Sequence, residues 1–392
     1  MFNTIIIRNG EVAIKGENRP VFEKKLMTNI KKALYGMQIQ GYKVYKGEGR
    51  IYIDADPEIM DQVIEKVRNV FGVVTLSPAI KTEKGYEKLK EMCLEVFEDA
   101  IANGEYKTFK MDVKRQNKSF HMTSPEMTKD IAGYILSKHG DKIGVDVFKP
   151  ELTVYAEFRD NLNIVYARKI DGAGGMPVGI NGKVATLLSG GIDSPVATYL
   201  ASKRGLEIEA VHFHSFPFTS EKSMQKVEQL AKIVSLYTGS IKIHMVNLLP
   251  VQKEIAEKCP EELMTILSRR FMMRIAERIA NQTGCGALVT GESIGQVASQ
   301  TIEGLTATND VVRTMPVIRP LISFDKEDII KIARNIETFE TSIIPEEDCC
   351  TVFLPKRPAT KPKLEKIYKA EEALDIEKLV SEAIENSTVV DV

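Results

Sequence analysis

From residue 183 onward, short apolar runs alternate with longer stretches whose apolar residues recur every three to four positions, as in buried parallel strands joined by crossover helices. "KVATLL" (183–188) predicts a strand. "SPVATYLASKRG" (194–205) predicts a helix, with Ser194 to cap it, Pro195 in its first turn and Gly205 to stop it. Further strands are predicted at "EIEAVHFHSF" (207–216), "IKIHMVNLL" (241–249) and "ALVTGES" (287–293). Helices fall at "SEKSMQKVEQLAKIVSLYTG" (220–239) and "PEELMTILSRRFMMRIAERIANQTG" (260–284).

The first 170 residues follow another pattern. "NTIIIRN" (3–9) and "GRIYIDAD" (49–56) read as strands around the helix "PVFEKKLMTNIKKAL" (20–34), and "PEIMDQVIEKVRNV" (57–70) as a second helix. A helix at 86–102, a strand with basic ends at 106–120, a helix at 124–140 capped by Ser124, and a hairpin over 151–170 follow. The Gly-rich "DGAGGMPVGING" (171–182) reads as a linker. The chain is thus expected to be multidomain, α+β then α/β, divided as 1–62, 63–170, the linker 171–182, and 183–392.

Composition narrows little. Lys and Arg number 53 against 54 Asp and Glu, so any nucleic-acid face has to be local. No apolar run is long enough for a membrane span, and no signal peptide is legible at the start. The 5 cysteines are sparse and odd in number, which points to a reducing, cytoplasmic compartment.

The chemistry concentrates in "SGGIDS" (189–194), between a strand and a helix. Gly190 and Gly191 allow backbone dihedrals and a close approach that a Cβ would forbid, so the amides of residues 190–194 can converge on an anion. Ser189 and Ser194 add hydroxyls. A Walker A loop requires Lys and Ser/Thr after its last glycine, where Ile192-Asp193-Ser194 stands instead. An aspartate among phosphate-binding groups calls for a cation, Mg²⁺, and suits a pyrophosphate leaving group. A dinucleotide fold is rejected, because "GAGGMP" (172–177) follows a hairpin and carries Pro177 where a glycine is needed.

Read with "NGEVAIKGENRPVFEKKL", "DVKRQNKSF", "SPEMTKDIAGYIL", "GAGGMPVG", "TGESIGQVASQT" and "PEEDCC" in this order, the loop resembles that of the ATP pyrophosphatases, and the ordered set resembles the tRNA 4-thiouridine synthetase (tRNA sulfurtransferase) family. The resemblance spans residues 1 to about 365. It implies a ferredoxin-like N-terminal domain, a THUMP domain that grips tRNA, and a doubly wound parallel-sheet ATP pyrophosphatase (PP-loop) domain. The implied reaction adenylates O4 of the uridine at tRNA position eight with ATP, after which persulfide sulfur displaces AMP. Sulfur transfer to a thiamine sulfur-carrier protein is implied as well.

Carried onto this chain, the resemblance assigns ATP contacts to Leu187, Leu188, Ser189, Gly190, Gly191, Asp193, Ser194, His212, Phe213, Arg269, Gly291 and Gln300. Arg270 could reach in place of Arg269, and Lys326 reads either as a late phosphate contact or as a solvated helix-start lysine. For tRNA, Lys107, Lys110, Lys114, Arg115 and Lys118 cluster between Phe109 and Phe120, and Arg8, Lys15, Arg19, Lys24 and Lys25 form a second group. Cys349 and Cys350 are the candidate sulfur carriers, with Cys350 expected to be reactive and Cys349 packed.

No Cys-x-x-Cys occurs, so a structural zinc or a locally held iron–sulfur cluster lacks its usual ligand spacing, and no protein-ligated metal site of that kind is expected. Residues 366–392 are too few for the rhodanese domain of longer relatives, which leaves persulfide supply to a cysteine desulfurase or a separate rhodanese-type protein. A homodimer is an open alternative for assembly. The rival readings are an amidotransferase or sulfonucleotide enzyme of the same superfamily, and a non-catalytic RNA-binding protein; the latter would not need an intact "SGGIDS".

Overall fold

The computed structural model describes residues 2–392 except 12–15, 37, 38, 48, 117, 298, 299, 348, 350, 351, 354 and 356–358. The chain divides into two compact units, Met1–Gly175 and Met176–Val392.

The first unit runs β1 (Thr4–Arg8), α1 (Arg19–Tyr35), β2 (Tyr42–Gly47), β3 (Arg50–Ala55), α2 (Met60–Arg68) and β4 (Thr75–Glu83). It continues through α3 (Tyr86–Ala102), β5 (Thr108–Arg115), α4 (Ser124–His139), β6 (Gly144–Val145), β7 (Leu152–Phe158), β8 (Leu162–Tyr166) and β9 (Ile170–Asp171). Among the described residues these strands form one sheet in the order β2-β3-β1-β4-β8-β7-β5-β6, with β9 on β4. The three consecutive isoleucines of β1 are explained by burial on both faces: Ile5 and Ile7 join the core beneath α1 and α2, and Ile6 joins Tyr52, Ile164 and Tyr166 opposite. The expected division between residues 62 and 63 falls inside α2, whose Met60, Val63, Ile64 and Val67 belong to that first core. β4 then joins both halves, pairing with β1 through residues 75–79 and with β8 through 80–83. Helix α4 is not capped by Ser124. Thr123 precedes it, and the Glu126 carboxylate accepts both the Thr123 N–H (2.7 Å) and its hydroxyl (2.9 Å), which frees Ser124 Oγ to accept the Arg115 amide.

The second unit runs β10 (Lys183–Leu187), α5 (Asp193–Lys203), β11 (Glu207–His214), α6 (Glu221–Thr238), β12 (Lys242–Asn247), α7 (Leu249–Lys258), α8 (Met264–Gln282) and β13 (Leu288–Val289). It ends with α9 (Ile302–Asn309), β14 (Val317–Ile318), α10 (Lys326–Asn335), α11 (Phe339–Ser342), α12 (Leu364–Glu371), α13 (Ile376–Glu385) and β15 (Thr388–Asp391). The strand order is β14-β13-β10-β11-β12-β15, parallel except for β15, which runs antiparallel to β12. The C-terminal residues therefore complete this sheet. Among the described residues no helix is long and apolar enough to cross a membrane.

Candidate active site at the sheet crevice

The order of the second sheet reverses at β10, which lies between β11 and β13, and such sheets bind ligands beyond the strand ends at this point. The loop leaving β10 enters α5 there. The helix starts at Asp193 behind a helical Ile192, so the expected capping by Ser194 is overturned. Ser194 Oγ instead accepts the Ser189 N–H at 2.8 Å and donates to the Ser189 carbonyl at 3.2 Å, closing the loop on itself. Among the described residues no side chain caps the first turn of α5, which leaves its amides for an anion.

Neither Gly190 nor Gly191 is among the glycines with positive φ, so the expected need for unusual dihedrals is overturned as well. What these positions keep is space. Among the described residues a Cβ on Gly191 would find nothing nearer than Ser189 Oγ at 3.7 Å, so they leave the surface in front of it open. Gly291 is the opposite case: a Cβ there would sit 2.9 Å from the Ser194 nitrogen and 3.0 Å from the Asp193 carbonyl carbon. Its close approach is to α5 itself.

Asp193 is held from two sides. Lys326 Nζ lies 2.6 Å from Oδ1, and Gln296 Nε2 donates to Oδ2 at 2.7 Å. Lys326 is thus no idle solvated lysine, and Gln296 had no signal in the sequence. Leu188 donates its N–H to the Val211 carbonyl, and its own carbonyl accepts from Nδ1 of the buried His212 at 2.9 Å. Phe213 packs into the core of the second unit. Burial, aided by His212, pushes the His214 imidazole down to about 4, so it is neutral near pH 7.

The two adjacent arginines separate by helix face. Arg270 is 1% exposed and bonds Glu371, Asp310 and the Ala307 carbonyl. Removing one partner of such a buried pair costs about 3–5 kcal/mol, so Arg270 serves the fold. Burial favours the acid form of Glu371, but Arg270 and Arg274 outweigh it and hold the carboxyl below its ordinary value. Arg269 faces Glu292, which also accepts from Thr290 and Arg319. Gln300 is 8% exposed, and among the described residues no donor reaches its Oε1.

A cavity of about 270 Å³ opens at the loop, lined by Gly190, Gly191, His212, Phe213, Lys226 and Cys349 among others. Cys349 is buried on this wall, whereas Cys350 lies outside the described residues. Burial pushes the thiols of Cys93, Cys285 and Cys259 up, which makes them poor nucleophiles. Lys226 was not legible, since on an amphipathic helix it reads as a solvated lysine. Among the described residues no cluster of His, Cys, Asp or Glu could hold a metal ion alone.

In the first unit the basic residues divide. Lys107, Lys114 and Lys118 are exposed, and Lys110 donates to the Val147 carbonyl. Arg115 is committed to the Phe120 and Met122 carbonyls, at 2.8 and 2.9 Å. Arg8 bonds Ser77 and lies over the Tyr166 ring, while Arg19 pairs with Glu23 and the Gly49 carbonyl. Lys15 lies outside the described residues. Phe109 is fully buried, and Phe120 packs on Phe158 at 4.8 Å, so both belong to the core. Phe148, 91% exposed beside Val147, is an exposed aromatic that the sequence did not single out.

Comparison with known proteins places this architecture. A family model described as thiamine biosynthesis protein (ThiI) matches residues 179–376, a ThiI ferredoxin-like model residues 4–77 and a THUMP model residues 83–167. A probable tRNA sulfurtransferase of Alkaliphilus metalliredigens is 54% identical, covering 98% of this chain and 97% of its own length. One from Finegoldia magna is 49% identical, with 98% of each chain covered. Among solved structures, a 4-thiouridine synthetase in complex with RNA and bound ATP is 36% identical over 100% of both chains, with a TM-score of 0.92. PH1313 from Pyrococcus horikoshii, 24% identical with 86% of this chain and 99% of its own covered, shares the fold at a TM-score of 0.66. The ordered motifs, the ferredoxin-like and THUMP halves, and the uncapped loop at the sheet crevice thus agree with near full-length likeness, and the chain belongs to the tRNA sulfurtransferase (ThiI) family.

Proposed function

We propose that the crevice of the second unit binds ATP and tRNA uridine and carries out 4-thiouridine formation at tRNA position eight. The observation that carries this reading is the open space before Gly191 at an uncapped helix start, with Asp193 and Lys326 beside it. The loop amides cradle the ATP phosphates, and the Lys326 ammonium offsets charge on the departing pyrophosphate. His212 and Phe213 bound the cavity on the nucleotide side.

Each Asp193 oxygen takes one hydrogen bond and keeps lone pairs, so the carboxylate together with ATP phosphates fits Mg²⁺. Mg²⁺ bound there would neutralise phosphate charge. Uridine O4 attacks the α-phosphorus, and pyrophosphate leaves. The terminal sulfur of a persulfide attacks C4, the C4–O4 bond breaks, and AMP departs with the oxygen. A second thiol then cleaves the S–S bond, leaving the thiocarbonyl on the base and a disulfide on the thiol pair.

The persulfide comes from a separate cysteine desulfurase or rhodanese-type protein. The same sequence of steps applies to the C-terminal carboxylate of a thiamine sulfur-carrier protein. Mass analysis of tRNA nucleosides after incubation with the protein, ATP, Mg²⁺, cysteine and a cysteine desulfurase is expected to show 4-thiouridine only when ATP is present. An unmodified nucleoside pool would overturn the reading.

The RNA is gripped by the exposed lysines of the first unit. Lys114→Gln with Lys118→Gln is expected to weaken tRNA binding and lower its salt dependence by about two counterions, since both lysines are exposed. Titrations at several salt concentrations check this. An unchanged slope would move the RNA face elsewhere.

A further inference from the structure

Residues 342, 344, 346 and 349 are held by side chains remote in sequence. Lys226 Nζ donates to the Ser342 and Ile344 carbonyls at 2.9 and 2.7 Å, and Ser220 Oγ donates to Glu346 at 2.8 Å. The anchor nearest the cysteines is Gln252 of α7, whose Nε2 donates to the Cys349 carbonyl at 2.9 Å. Its Oε1 accepts from Ser215 Oγ at 2.6 Å, and the Ser215 amide donates to Thr219 Oγ1 at 3.0 Å.

Gln252, Ser215 and Thr219 are 2%, 0% and 1% exposed. A buried amide costs free energy unless both its ends are bonded, and a methionine would fill the same volume without that demand. What the amide adds here is a hold on the backbone of residue 349. That residue lines the cavity onto which Gly190 and Gly191 open.

We propose that Gln252 is a positioning residue for sulfur transfer: its amide fixes the Cys349 backbone on the wall of the cavity at the phosphate loop, and sulfur transfer through the Cys349–Cys350 pair depends on that hold. This rests on reading that pair as the sulfur relay. A relay has to place one sulfur atom within bonding distance of C4, so tolerance for backbone drift is small. Free sulfide has no such requirement.

The test uses the full chain and tRNA, measuring 4-thiouridine formation with a cysteine desulfurase plus cysteine and, separately, with excess sodium sulfide. Gln252→Met removes both bonds, Gln252→Glu keeps the Ser215 acceptor but loses the donor to Cys349, and Ser215→Ala removes only the outer link. The two Gln252 variants are expected to lose about tenfold or more with the desulfurase and less than about twofold with sulfide, with Ser215→Ala in between. Equal losses with both sulfur sources, or no loss, would overturn the proposal.

Cys349→Ser and Cys350→Ser are run in parallel. If neither shows a dependence on sulfur source, the relay reading fails. If one does and the Gln252 variants do not, only the positioning role fails. Should Gln252→Met not fold, Gln252→Glu and Ser215→Ala decide by the same comparison.

Discussion

Asp193→Ala is expected to lower tRNA thiolation by about a thousandfold or more while leaving tRNA affinity within about threefold, because in the proposed reading the carboxylate acts on the ATP phosphates and their cation and not on RNA. The structure makes this a clean substitution. Asp193 and Lys326 keep solvent access at 23% and 40% of their side chains, so removing the carboxylate does not strand a buried charge. Gln296 loses one acceptor at a site open to water. Single-turnover nucleoside analysis and a binding titration on the same preparation measure the two quantities. Near wild-type thiolation would remove the loop from the catalytic role. Parallel loss of tRNA binding would place Asp193 in RNA recognition instead.

The second large effect concerns the twin cysteines. Cys350→Ser is expected to reduce desulfurase-driven thiolation by about a hundredfold or more, with ATP-dependent pyrophosphate release intact, since adenylation precedes any need for sulfur. Excess sulfide restores part of the rate, because it attacks the activated C4 without a carrier. Cys349→Ser is expected to keep substantial activity: the residue is 4% exposed and grouped with the core of the second unit, and its backbone carbonyl is held by Gln252. Full activity of Cys350→Ser with the protein donor would end that assignment. Loss confined to Cys349→Ser would transfer the role to the residue on the cavity wall.

The arginine pair shows why part of the site was legible and part was not. "SRRFMMRIAERIA" announces an amphipathic helix with two adjacent cations, and nothing local says which one turns inward. The outcome depends on Glu371 and Asp310, far along the chain, which capture Arg270 and leave Arg269 on the side of Glu292. The phenylalanines beside the basic strand behave likewise: their spacing sets them near Lys110 and Lys114, but the pleat of β5 and the packing of Phe158 turn both inward. Phe148 could not be singled out, because its exposure follows from the loop beyond β6.

By itself the sequence determined what local spacing controls. The alternation of strands and helices after residue 183, the Gly-Gly-Ile-Asp turn between a strand and a helix, and the order of motifs along the chain are properties of neighbours, and they specified the parallel sheet, its phosphate loop and the family. Only the tertiary structure decided which groups meet across long separations. Asp193 lies between Gln296 and Lys326, Gly291 passes against the first turn of α5, and Gln252 holds Cys349, each contact joining residues about a hundred positions apart. Such pairings are set by the strand order of the sheet and by which helix face its core buries, and both depend on the summed packing of the whole unit.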